Sequence, residues 1–148
     1  MMISVGSDHA GFVYKEALKA MLVEDGHNVV DVGAHDAAAS VDYPDYGVAA
    51  ARIVQSGKAE FGVLVCGSGI GIEIAANKVD GIRAANCVTV EMAQTARAHN
   101  NANMVAIGQR LISLDLAKDI VRTFLNTAFE GGRHERRVEK IHTLGDIR

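Results

Sequence analysis

Short apolar or β-branched runs recur at Ile3 to Val5, Val29 to Val32, Phe61 to Val65, Ile82 to Ala85 and Met104 to Ile107, and each is read as a strand. Between them, hydrophobic positions return at helical spacing. Val13, Ala17, Ala20 and Met21 predict one amphipathic helix, and Ala117, Ile120, Val121, Phe124 and Leu125 predict another with a clearer face. Strands that alternate with helices imply crossover connections, so the expected class is α/β with a parallel sheet covered by those helical faces. Pro44, the only proline, suits the first turn of a further helix because its fixed φ and missing N–H cost nothing there. Gly131-Gly132 is read as the end of the last long helix. Beyond it, Arg133 to Ile141 can form a short polar helix, with Arg133 and Arg137 one turn apart on one face and Arg136 elsewhere.

Length and composition narrow the picture. A chain of 148 residues suits one compact domain spanning 1–148, which buries roughly two-thirds of the surface of its unfolded chain. Hydrophobic residues make up 49% and charged residues 22%, and no apolar stretch reaches the length of a membrane span. The N-terminus lacks the basic start and long apolar run of a secretory signal, so a cytoplasmic protein is expected. The only two cysteines, Cys66 and Cys87, have no paired spacing that suggests zinc or a disulfide framework, so reduced thiols are expected. A formal charge of -3 argues against bulk nucleic-acid binding. The local cluster of Arg133, Arg136 and Arg137 suits a small anion instead.

The chemistry concentrates at two strand ends. Cys66-Gly67-Ser68-Gly69-Ile70-Gly71 turns directly from the run Phe61 to Val65 into a helix containing Ile74, Ala75 and Ala76. Glycines let backbone N–H groups approach a ligand, and the positive end of the helix favours an oxyanion, a phosphate or a Cys66 thiolate acting as base. The spacing is G-x-G-x-G, without the last interval of the dinucleotide fingerprint and without the Lys-Ser or Lys-Thr of a P-loop. Read alone, the turn also allows a tight connection with a buried, inert cysteine, the reading preferred for Cys87. Ser7-Asp8-His9-Ala10-Gly11 also leaves a strand and opens a helix, so both turns should share a crevice at the carboxyl edge of the sheet. Asp8 could there be a helix N-cap and His9 a loop residue.

Arg133 and Arg137, with His9 and Arg110 as further cations, could grip a phosphate. A solvated helix face explains the arginines as well. His99-Asn100-Asn101 ends a helix and precedes a strand, where a cap beside the helix dipole is sufficient explanation. Its location matters more, because a residue entering a parallel strand lies at the edge opposite Cys66. If both act on one substrate, the simplest arrangement brings His99 from a neighbouring subunit across a symmetric interface.

The ordered set Ser7-Asp8-His9-Ala10-Gly11, Asp42-Tyr43-Pro44, Cys66 to Gly71, Ala75-Ala76-Asn77-Lys78, His99-Asn100 and Gly131-Gly132-Arg133-His134 with Arg137 runs over nearly the whole chain. It resembles the ribose-5-phosphate isomerase B family. The resemblance implies a Rossmann-like three-layer αβα sandwich of about five parallel strands with a short C-terminal helical tail. It also implies a homodimer or dimer of dimers with shared sites, no metal, no organic cofactor, and exchange of ribose 5-phosphate with ribulose 5-phosphate. Cys66 would move the proton between C1 and C2, while Gly67, Ser68, Gly69, Ile70 and Gly71 hold the enediolate. His99 would assist ring opening with Asp8 as its partner. His9, Arg110, Arg133 and Arg137 would bind phosphate, and Asn100 would meet the substrate near the glycine turn. A branch of the family that lacks the cysteine uses a glutamate at the position of Ile72, and Glu73 is displaced from it by one, so this sequence resembles the cysteine branch.

Relatives acting on galactose 6-phosphate or allose 6-phosphate leave the carbon number of the sugar open. A nucleotide-binding module would account for the glycine turn but not for Cys66, His99 and the terminal arginines together. A noncatalytic assembly protein would make the His99 interface purely structural.

Overall fold

The computed structural model describes residues 1–145. The expected domain extends to 148, and its last three residues lie outside the described ones. The elements run β1 (Met2–Ser7), α1 (Phe12–Glu24), β2 (Asn28–Asp31), α2 (Tyr43–Gln55), β3 (Phe61–Cys66), α3 (Ile70–Ala76), β4 (Ala84–Asn86), α4 (Val90–Asn100), β5 (Met104–Gly108), α5 (Leu114–Asn126) and α6 (Arg133–Gly145). Five parallel strands form one sheet in the order β2-β1-β3-β5-β4. The α/β sandwich is as expected, and all five strand runs are present, with β4 displaced toward its C-terminal side.

Side-chain alternation along the strands builds the two outer layers. Ile3, Val5, Val63, Val65, Val105 and Ile107 face a core with residues of α1, α4 and α5. Leu64, Cys66, Met104 and Ala106 face the opposite core, with residues of α2 and α3. Burial on both faces explains why β3 reads as a continuous apolar run rather than an alternating one. Leu18, Leu22, Ile120 and Phe124 are fully buried, each contributing about 1.5–3 kcal/mol of transfer free energy.

The periodicity of α5 is confirmed, for Ala117, Ile120, Val121, Phe124 and Leu125 are its buried residues. That of α1 is corrected. Val13 is 56% exposed and Ala20 is also exposed, whereas Lys15, Leu18, Met21 and Leu22 are buried. A lysine on the inner face broke the apolar pattern. Its ammonium donates to both carboxylate oxygens of Asp31 at 2.7 and 2.8 Å, Lys19 donates to Oδ2 at 2.8 Å, and the Gly33 N–H donates to Oδ1 at 2.9 Å. Burial works to raise the Asp31 pKa, but these donors together hold it below the ordinary carboxylate value.

Pro44 does stand in the first turn of α2, behind Asp42 as N-cap. Gly131-Gly132 does not end α5, which stops at Asn126, and leads instead into α6. That last helix is longer than expected and packs against α4 through His134 and Val138.

Candidate active site

Strand order reverses direction between β1 and β3, and the crevice outside their carboxyl ends is where open parallel sheets bind ligands. A cavity of about 610 Å³ opens there. Asp8, His9, Cys66, Gly67, Ser68, Ile70, Gly71 and Arg110 line it, so eight of the proposed site residues meet in one chain. Ala10, Tyr43, Ile74 and Leu111 complete the walls.

The floor is built by backbone hydrogen bonds. Cys66 ends β3 and is 4% exposed, and its Sγ accepts from the Gly69 N–H at 3.1 Å. Such a donor binds a thiolate more strongly than a thiol. Gly69 caps α3 at φ 77, in the left-handed region that favours glycine, and a Cβ there would meet the backbone of Ile107 at 2.9 Å. The Ser68 hydroxyl accepts from the Ile70 N–H at 3.2 Å, which leaves its own proton available for a sugar oxygen. Because α3 spans only seven residues, the oriented N–H groups of the turn matter more than a long helix dipole.

The loop after β5 clamps this turn. The N–H groups of Gln109 and Arg110 donate to the carbonyls of Cys66 and Gly67 at 2.9 and 3.0 Å. Arg110 thereby lies over Gly67, where a Cβ would come within 3.0 Å of its Nη1. The Tyr43 ring lies against Gly71 in the same way.

Asp8 is not the N-cap of α1, a position taken by Gly11. Its buried carboxylate accepts from the Gly11 N–H at 3.0 Å and so holds the turn that follows β1. His9 Nδ1 accepts from the Val41 N–H at 3.1 Å, which leaves Nε2 as the ring nitrogen able to face a ligand. The same bond ties the loop before α2 to the cavity.

The other proposed residues lie elsewhere. His99 occupies the last turn of α4, beside the start of β5, while Cys66 ends β3. Met104 pairs with Gly62, so about 13 Å of strand separates the two levels. His99 stacks on His134, with ring centroids 4.3 Å apart and planes at 11°. Burial, then the neighbouring His99 and Arg133, push the His134 pKa down. Asn101 caps α4 in the left-handed conformation. Asn100 lines a groove with Asn86 and Cys87, outside the Cys66 cavity. Arg133, Arg136 and Arg137 are all exposed on α6.

Cys87 is buried, and burial with the Glu73 charge pushes its thiol up to about 12, consistent with an inert thiol. Ile72 is fully buried in the core beneath α2 and α3. Glu73 accepts from the Asn86 N–H at 3.1 Å and faces the groove beside β4, so its carboxylate is not a wall of the Cys66 cavity. Burial raises its pKa. One residue escaped sequence reasoning: Asn86 donates from Nδ2 to the Ser68 carbonyl at 3.2 Å and steadies the glycine turn. Its position just beyond a strand on the carboxyl edge was the available signal.

A cysteine, a hydroxyl and convergent N–H donors at one end of a cavity, with a guanidinium and an imidazole N–H nearby, define a site for proton transfer on an anionic small molecule. Comparison with known proteins agrees. A family model described as Ribose/Galactose Isomerase matches residues 3–141, and the chain belongs to that family. It is 46% identical over 142 residues to the ribose-5-phosphate isomerase B of Escherichia coli strain K12, covering 96% of this chain and 95% of that one. The D-erythrulose-4-phosphate isomerase of Pectobacterium atrosepticum is 40% identical over 141 residues, covering 95% and 93%. The solved structure of the Clostridium thermocellum ribose-5-phosphate isomerase B superposes with a TM-score of 0.96 at 49% identity, covering 98% of this chain and 97% of that one.

Proposed function

We propose that the protein interconverts ribose 5-phosphate and ribulose 5-phosphate through an enediolate, as a cytoplasmic enzyme of the pentose phosphate pathway. The observation that carries this reading is the Cys66 Sγ set on the cavity wall 3.1 Å from the Gly69 N–H, among donors suited to a developing oxyanion. As thiolate, Cys66 takes the proton from C2 of the open aldose. The electron pair moves into a C1–C2 double bond and the C1 carbonyl oxygen becomes the oxyanion, held by the turn N–H groups and the Ser68 hydroxyl. After a proton passes from O2 to O1, the Cys66 thiol returns its proton to C1 and leaves the ketose. Positioned acid–base catalysis of this kind contributes about 10²–10⁴-fold. His9 Nε2–H and Arg110 bind the phosphate and orient the chain.

The active unit is a homodimer, alone or paired again, in which His99, Asn100, Arg133 and Arg137 of one protomer complete the Cys66 cavity of the other. The strand separation and the outward exposure of the arginines support this arrangement. So do the exposed Val88 and Met92 near β4, apolar side chains that association would cover. His99 assists ring opening there, with Asp8 as the acidic partner across the interface.

The test is direct isomerisation assayed with ribose 5-phosphate, allose 6-phosphate, galactose 6-phosphate, D-erythrulose 4-phosphate and unphosphorylated ribose, all in chelator. Turnover of ribose 5-phosphate with the highest kcat/KM supports the proposal. A preference for another phosphosugar overturns the substrate and keeps the chemistry, whereas nucleotide binding without any isomerisation overturns both.

A further inference from the structure

A second cluster of chemically capable side chains lies where α4 ends and α6 begins. Glu130 Oε2 is 3.8 Å from His99 Nε2 and 3.7 Å from His134 Nε2. Both distances are too long for hydrogen bonds. The carboxylate therefore faces two ring nitrogens without binding either, and all three donor atoms lie within 4.8 Å of one another. We propose that His99, Glu130 and His134 form a capture site for a divalent transition-metal ion, zinc foremost, whose binding withdraws His99 from the sugar.

The donor set carries the choice of ion. Two imidazoles and one carboxylate suit zinc and its neighbours in the first transition row, whereas magnesium and calcium prefer oxygen ligands. Tetrahedral bonds of 2.0–2.2 Å would set donor atoms about 3.3 Å apart, so the two observed distances need to close by about half an ångström. Parallel stacking sets the two rings side by side, so binding one ion at both requires His99 to turn about its last side-chain torsion. That torsion is soft, and the His99 side chain is 43% exposed. The His134 side chain is only 10% exposed and offers the fixed ligand. The Glu130 N–H donates to the Ala98 carbonyl at 3.0 Å, which holds the loop against α4.

Opposing charges limit the affinity. Arg133 and Arg137 both disfavour positive charge at His134, and only the Glu130 carboxylate favours it. The ion should consequently come and go, with its fourth position open to water. Binding of the ion stands on this cluster alone. Its inhibitory consequence rests on the role proposed above for His99.

Cys66 is another soft ligand, so binding is first measured on the full-length Cys66→Ala variant by calorimetry with zinc and by the absorption of cobalt(II). About one ion per chain is expected, undisplaced by excess magnesium. In the same background, Glu130→Gln and His134→Asn should each weaken binding by at least about tenfold. In the chain that retains Cys66, zinc should inhibit turnover and chelator restore it. Glu130→Gln there should keep basal turnover and need at least about tenfold more zinc for equal inhibition. No uptake by Cys66→Ala, or uptake indifferent to Glu130→Gln, overturns the site. Glu130-dependent binding that leaves turnover untouched overturns the withdrawal of His99 and leaves the site standing.

Discussion

The cavity wall around Cys66 and the surface around His99 are held in different ways. At Cys66, each part of the turn is fixed by the chain itself: Gly69 N–H on the thiol, Asn86 on the Ser68 carbonyl, and the backbone of Gln109 and Arg110 on Cys66 and Gly67. At His99 the anchoring lies one residue layer deeper. Buried Arg97 donates to the Ala102 and Thr127 carbonyls and lies over the Phe61 ring at 4.7 Å, while His99, Arg133 and Arg137 project outward with few bonds of their own. One region is finished within a protomer. The other is a fixed base presenting exposed or partly exposed polar groups, the form expected of a surface that operates on another molecule.

Mixing subunits tests that difference most severely. Cys66→Ala and His99→Asn should each fold normally, and Cys66→Ala should lose about 10²–10⁴-fold in kcat while still binding the phosphosugar. Under conditions that exchange subunits, their mixture should regain about a quarter of the wild-type activity, because half of a random population is hybrid and each hybrid holds one intact site of two. No recovery despite demonstrated exchange would show that the two groups do not act together from different protomers, and would erase the contrast.

A second prediction concerns the rigidity of the Cys66 side. Asp31→Asn leaves buried Lys15 with only Glu16, 3.9 Å away, as counter-charge and should cost about 3–5 kcal/mol, read as a lower midpoint in denaturant. Because folding depresses the Asp31 pKa, its contribution is fully present above the ordinary value of 3.8 and is lost as pH falls through the lower folded value. The acid limb of a plot of melting temperature against pH should therefore be flatter in Asp31→Asn. A parallel curve would show that the network does not set acid stability.

Arg133→Ala and Arg137→Ala probe the other side. Each removes an exposed guanidinium from α6, so KM for the phosphosugar should rise about 10- to 100-fold with little change in melting temperature. Loss of stability with unchanged KM would make these arginines structural. The smallest effect is expected at Asp25→Asn, which breaks the exposed pair with Arg122 far from either region and should leave both turnover and melting temperature within error.

The same contrast explains what the sequence disclosed. Strands buried on both faces announce themselves as apolar runs, and glycine turns at their ends mark the carboxyl edge, so β3 and the Cys66 turn were legible from residue type and order. The inner face of α1 was hidden because a buried lysine, neutralised by a carboxylate from β2, carries no apolar signal. Nor could the orientation of His9 be read, since its Nδ1 is held by the Val41 N–H of a distant loop. Separation of His99 from Cys66 was foreseeable from strand polarity. Its stacking on His134 needed the docking of α6, which no local pattern encodes.

Strand β3 lies at the centre of the sheet, hydrogen-bonded to β1 on one side and β5 on the other, and Cys66 is its last residue. Amide hydrogens in such a strand exchange only through near-global opening, whereas a helix docked at the periphery can detach alone. If Arg133 and Arg137 bind the phosphate as proposed, partial unfolding of α6 silences the enzyme and leaves Cys66 in place, so loss of activity on warming should precede loss of the sheet.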